Sequence, residues 1–233
     1  FISYPYEWAF TQLKKAALHT LKIQRRALAC GMTLKDASAY NIQFHHGSPV
    51  LIDTLSFARY EAGTPWVSYK QFCQHFLAPL ALMAKTDVRL GNLLRIHIDG
   101  VPLDLASRLL PSSTRFNLGL LTHIHAHASA QKQAGTKSQP AKAPAQARFS
   151  KMAMLGLVDS LESTVQALEW RPHGTAWGDY YVNTNYSSDA FEAKKKIVAQ
   201  FLEQIEPASV WDIGGNTGVF SRLASQRGIR TLS

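Results

Sequence analysis

The sequence predicts an α/β protein in two parts: a mostly helical first part carrying one β-hairpin, then the opening of an α/β domain. Three observations predict it. Apolar residues recur at helical spacing through residues 10–29, 69–83 and 152–168. Two short apolar stretches flank a turn at His45, His46, Gly47 and Ser48, the pattern of a hairpin. Near the end, Val210, Trp211 and Ile213 read as a short buried strand, followed by a glycine-rich turn and a helix from Val219 to Ser225.

The whole-chain numbers limit the function classes. A length of 233 residues suits one or two domains, and 46% hydrophobic content is enough for a sizeable core. No run reaches the roughly 18 apolar residues of a membrane span, and residues 1–10 lack the pattern of a secretion signal. Cys30 and Cys73 are isolated and match no metal-ligand spacing, which favours a reducing, cytoplasmic setting. The net charge of +9 invites a nucleic-acid partner, but its distribution argues otherwise. Residues 105–158 contain no acid, while Arg108, Arg115, Lys132, Lys137, Lys142, Arg148 and Lys151 supply most of the excess. Much of that charge lies in a low-complexity tract, so a solvated basic linker is expected rather than a nucleic-acid surface.

In chain order, the aromatic, Pro5-containing start is expected to be an extended lead-in. Phe10, Leu13, Ala17, Leu21 and Leu28 then share one face of a helix, with Lys14, Lys15, Lys22, Arg25 and Arg26 forming a solvated basic face. Gly31 is placed to end it in the left-handed region. A loop with Asp36 and Asn41 leads into the hairpin, whose second strand ends at Asp53. Both loop residues suit turns in which a side chain bonds its own backbone.

Their spacing carries a second reading. Asp36 lies five residues before Asn41, and Asp53 twelve after it. This resembles the catalytic loop and metal-binding aspartate of protein-kinase-like and aminoglycoside-phosphotransferase-like folds. The resemblance implies Asp36 as a catalytic base toward an acceptor hydroxyl, and Asn41 and Asp53 as ligands holding Mg²⁺ against phosphates. The sequence departs from the family pattern at Leu34 and Lys35, and again at Thr54 and Leu55.

Residues 57–66 read as loop. Helices are expected over residues 69–83, interrupted by Pro79, over 87–96, and over 104–110, ended by Pro111. His123, His125 and His127 alternate; on a strand they would share a face and suit a metal, whereas on a helix only His123 and His127 align. With no acid or cysteine beside them, partly exposed histidines at a helix end are expected. These elements make a first part of residues 1–126, and residues 127–148 make a flexible Ala/Lys/Gln/Pro linker.

The second part, residues 149–233, begins with an amphipathic helix over 152–168 and an irregular aromatic stretch containing Tyr180, Tyr181 and Tyr186. A second helix, over 191–205, follows a Ser187 or Ser188 cap, points Ile197, Val198, Phe201, Leu202 and Ile205 inward, and ends before Pro207. The strand then leads through Asp212 into Gly214, Gly215, Asn216, Thr217 and Gly218. An acidic residue followed by alternating Gly214, Asn216 and Gly218 resembles the first motif of class I S-adenosylmethionine-dependent methyltransferases. Asn216 fills the middle glycine position, as a residue that enters the left-handed region readily. The resemblance implies a truncated Rossmann-like methyltransferase domain. In it, Asp212, Gly214, Gly215, Asn216 and Gly218 would position S-adenosylmethionine for methyl transfer to an acceptor of unidentified class. The chain, starting at Phe1 and stopping at Ser233, is expected to be a fragment.

Overall fold

The computed structural model describes residues 2–129, 150–171 and 186–233. The chain divides into two compact units, Phe1–Trp170 and Arg171–Ser233. Most of the described residues are helical, and the sheets are three strand pairs. Among the described residues no helix is long and apolar enough to cross a membrane.

The first unit is built on α1 (Phe10–Ala29). Phe10, Leu13, Ala17, Leu21 and Leu28 are buried along it, as their spacing predicts. At its start Gln12 Oε1 accepts from Ala9 N at 2.9 Å; at its end Gly31, at φ 71°, donates to Leu28 O at 3.2 Å. Gln24 is fully buried and ties the helix to β1 (Met32–Leu34), accepting from Leu34 N at 2.7 Å and donating to Thr33 Oγ1 at 3.0 Å. The hairpin joins β2 (Ile42–His45) to β3 (Ser48–Leu51), antiparallel with His45 opposite Ser48. His46 and Gly47 both take positive φ, 50° and 73°, the two-residue turn whose twist suits paired strands. The lead-in is not wholly extended, since Pro5–Glu7 makes a 3₁₀ turn. Phe57–Arg59, expected as loop, is β4, antiparallel to β1. Three residues are too few to show an alternation.

The aromatic helix is continuous but uneven: α2 (Tyr69–Phe72), a π turn (Cys73–Leu77) and α3 (Ala78–Lys85). Pro79 has no N–H, so the ladder cannot stay regular there. The widened turn sends Ala78 N to Cys73 O, which leaves Gln74 O to accept Val101 N at 2.9 Å. Shorter helices follow at α4 (Leu93–Ile96), α5 (Leu103–Leu109) and α6 (Leu118–Leu120), the last running into a second π turn (Leu121–Ala126).

The expected boundary at residue 149 is not where the structure divides. Helix α7 (Lys151–Ala167), expected to open the second part, belongs to the first unit. Its Met154, Val158, Leu161 and Val165 are buried in the same core as Leu13, Leu21, Phe72 and Phe76. Two residues of the basic face of α1, Lys14 and Arg25, receive it, while Lys15, Lys22 and Arg26 stay exposed as expected. Lys14 Nζ donates to Gln166 O and Leu168 O at 2.8 and 2.7 Å, capping the carbonyl end of α7. Arg25 pairs with Asp159 and Glu162 at 2.5 and 2.7 Å. Of the predicted linker, residues 130–148 lie outside the described residues.

In the second unit, Ser187 Oγ accepts from Ala190 N at 3.2 Å and opens α8 (Ser188–Ile205). Glu206, at φ 46°, closes it before Pro207. Then come β5 (Ser209–Trp211), α9 (Val219–Ser225) and β6 (Arg230–Leu232), which runs parallel to β5 with Trp211 opposite Leu232. The strand read as buried is open: Trp211 is 71% exposed and Ile213 91%. Of the residues expected inward on α8, Ile197, Phe201 and Ile205 are exposed, Phe201 at 55%, while Val198 and Leu202 are half-buried. Two strands and two helices enclose little among the described residues.

Candidate functional site

The glycine turn of the second unit is held from inside by Asp212. Its Oδ2 accepts from Ser221 Oγ at 2.5 Å, and its N–H donates to Leu232 O at 2.8 Å. One residue thus fastens the strand, the turn and α9 together. Gly214, Asn216 and Gly218 take φ of 77°, 51° and 72°, so the three alternating positions are all left-handed. Gly215 is there for space: a Cβ would sit 2.6 Å from Ser233 Oγ and 2.8 Å from Asp212 Oδ2. At Gly214 no atom lies within 4 Å of that point, and the backbone stays open to an approaching group. Beside the turn is a recess of about 340 Å³ lined by Asn216, Thr217, Gly218, Ser221, Arg222 and Thr231, among others. Arg222 is turned back onto Thr217 O at 2.7 Å, which steadies the turn. Tyr180 and Tyr181 lie outside the described residues; Tyr186 is half exposed with Lys194 Nζ 5.4 Å from its ring centre.

The larger recess, about 520 Å³, is in the first unit and is lined by Asp36, Ser38, Tyr40, Asn41, Gln71, His75, Ile98 and Asp99. Asp36 Oδ1 accepts from Ser38 N at 2.8 Å, the side-chain turn its sequence context suggests. Asn41 and Asp53 are joined through buried Ser56: Asn41 Nδ2 donates to Ser56 Oγ at 3.0 Å, and Ser56 Oγ donates to Asp53 Oδ2 at 2.7 Å. That hydroxyl, with the Leu55 N–H on Oδ1, holds the Asp53 carboxyl below its ordinary range. Asp36 and Asn41 therefore share a recess, while Asp53 reaches Asn41 only through Ser56 and does not line it. Ser56, His75 and Asp99 were not singled out in the sequence. None belongs to a spacing pattern, and His75 sits in an aromatic helix where it passes for core.

Of the alternating histidines, His123 and His125 are buried, contrary to expectation, while His127 is partly exposed as expected. His123 meets Tyr69 OH through Nδ1 at 2.7 Å and Ser160 Oγ through Nε2 at 2.9 Å. His125 meets Ser107 Oγ and Thr114 Oγ1 at 2.8 and 2.9 Å. Both nitrogens of each ring are already engaged, and the π turn is what brings two rings two residues apart into the core. Burial lowers His123 to about 4, and His75 likewise to about 4. Since 6.5 falls to 4 on folding, the unfolded chain binds the extra protons between those values. Stability is then full above about pH 6.5 and falls as the pH drops toward 4, by about 1.4 kcal/mol per pH unit for each histidine. Urea unfolding between pH 7 and 4 should show this slope, reduced by about one histidine's share in His123→Gln.

No family model matches the chain, and no solved structure matches it. The chain is 35% identical over 229 residues to nodulation protein NoeA of Rhizobium meliloti (strain 1021), a match covering 97% of this chain and 48% of that protein. The chain spans about half the length of the curated relative that it matches.

Proposed function

We propose that the protein is an S-adenosylmethionine-dependent methyltransferase whose donor site is built on the turn after β5. The observation that carries this reading is the alternation of left-handed Gly214, Asn216 and Gly218 between a strand and a helix that returns to a parallel strand. Such a turn presents backbone rather than side chains to a ligand, which suits the polar methionine end of the donor. Asp212 has a positioning role: bonded to Ser221, it fixes the turn. Bound, the donor supplies an electrophilic sulfonium methyl. The protein's part is to hold donor and acceptor in line so that the acceptor nucleophile displaces the thioether in one step. The acceptor is of unidentified class.

The test is calorimetric titration of the full-length protein with S-adenosylmethionine. A dissociation constant on the order of micromolar, about −8 kcal/mol, is expected. Absence of heat at millimolar donor would remove the reading.

A second reading, a kinase-like phosphotransferase or an inactive descendant acting through Asp36, Asn41 and Asp53, draws on the Asn41–Ser56–Asp53 chain. It predicts Mg²⁺-dependent nucleotide binding.

A further inference from the structure

We propose that Ser107 is a nucleophile activated by His125, and that it takes the acyl group of a small, carboxylate-bearing ester entering the recess beside α5. This inference stands on the first unit alone and is independent of both functional readings. The recess, about 210 Å³, is lined by Asp104, Ser107, Arg108, Ser112 and Arg115, among others. Ser107 is half-buried in its wall, and its partner His125 is 4% exposed.

The hydrogen bonds fix which atom carries each proton. Thr114 Oγ1 lies 2.6 Å from Pro111 O, and a carbonyl oxygen only accepts, so the Thr114 hydroxyl donates there. Its oxygen is then the acceptor for His125 Nε2 at 2.9 Å, and Nε2 carries the ring hydrogen. Burial first, and Arg115 second, hold His125 below its ordinary value, so at neutral pH the ring has a single N–H. Nδ1 is therefore a bare acceptor, and Ser107 Oγ, 2.8 Å away, donates to it. A hydroxyl on a base that a third group orients is the arrangement that lets the proton leave as the oxygen attacks.

The three residues come from three short elements. Ser107 is on α5, Thr114 on the 3₁₀ turn Ser112–Phe116 that follows Pro111, and His125 on the second π turn. Ser129 Oγ donates to His125 O at 3.0 Å, so backbone and ring are both held. Arg108 is matched by Asp104 at 3.0 Å, whereas Arg115 adds an exposed guanidinium to the same wall. The excess positive charge selects an ester that carries a carboxylate over a neutral one.

In the first step the bond from Ser107 Oγ to the acyl carbon forms and the ester C–O bond breaks. The hydroxyl proton passes to His125 Nδ1 and then to the departing alcohol oxygen. Water next attacks the acyl-serine and gives a proton to Nδ1; Ser107 Oγ recovers it as the carboxylic acid leaves.

The experiment incubates the whole chain with 4-acetoxybenzoate, or with its methyl ester as the neutral match, and reads phenol release together with the mass of the peptide holding Ser107. An acetyl adduct on Ser107 and faster release from the anionic ester are expected. His125→Gln should slow acylation about a hundredfold or more. Ser107→Ala should abolish the adduct; alanine suits a helix, so this variant keeps the test valid if the change at buried His125 prevents folding. Thr114 is a positioning residue: Thr114→Val should slow acylation and Thr114→Ser should restore it. Arg115→Gln should remove the preference for the anionic ester. The proposal is overturned if no adduct forms on Ser107 or if Ser107→Ala releases the phenol as fast as the parent chain. It is overturned equally if Thr114→Val reacts undiminished, or if the methyl ester reacts as fast as the anionic one.

Discussion

A chain ended before Lys151 should fail to hold the first unit's fold, although every element from α1 to the second π turn would still be present. Helix α7 places Met154, Val158, Leu161 and Val165 in the core shared with α1 and the aromatic helix. Truncating one such side chain to alanine costs about 2–5 kcal/mol, and a domain holds only about 5–15 in total. Losing all four, about 8–20 kcal/mol, is therefore as large as the whole stability of a domain. The single change Leu161→Ala should lower urea stability by about 2–5 kcal/mol. Arg25→Ala should cost only about 1 kcal/mol or less, because its pairs with Asp159 and Glu162 are partly exposed. A shortened chain that still unfolds cooperatively, with the stability of one ending at Trp170, would show that α7 is an accessory and return the boundary to residue 149.

That contrast also measures what the sequence makes legible. The apolar stripe of α1 announces its buried face and its end at Gly31, because helix periodicity and a left-handed cap are local properties. Part of its basic face misleads. Lys14 and Arg25 meet carbonyls and carboxylates of α7, far along the chain, and nothing adjacent in sequence marks them as partners. The same holds for Phe57–Arg59, a strand only because Met32–Leu34 lies beside it. Pro79 is readable as an interruption; that the interruption becomes a π turn whose spare carbonyl seats Val101 is decided by packing.

The sites divide along the same line. Asp36, Asn41 and Asp53 stand out by spacing, and the structure places the first two in one recess. Ser56, which joins Asn41 to Asp53, carries no signal of its own. Nor do His75 and Asp99, which line the same recess as Asp36. In the second unit the left-handed positions are legible, since few residue types accept such φ values. The burial of β5 is not, because burial depends on neighbouring strands rather than on Val210 and Trp211 themselves.

Gly215→Val should reduce S-adenosylmethionine affinity a hundredfold or more, about 2.7 kcal/mol, without unfolding the first unit. The steric case is specific. Ser233 Oγ can rotate away from a new Cβ, but Asp212 Oδ2 is held by Ser221 and lies only 2.8 Å from it. Making room means breaking a bond to a charged group, worth about 1.5–3 kcal/mol, and shifting the turn that carries Gly214 and Asn216. Ser221→Ala removes the same bond without the collision and should cost about tenfold. Gly228→Ala is the control: at φ 76° it too is left-handed, but nothing lies within 4 Å of its Cβ position. It should carry only the strain of that conformation, on the order of 1 kcal/mol of stability, and leave donor affinity unchanged. Equal losses at residues 215 and 228 would mean that affinity follows general destabilisation, whereas undiminished binding by Gly215→Val would place the donor site away from this turn.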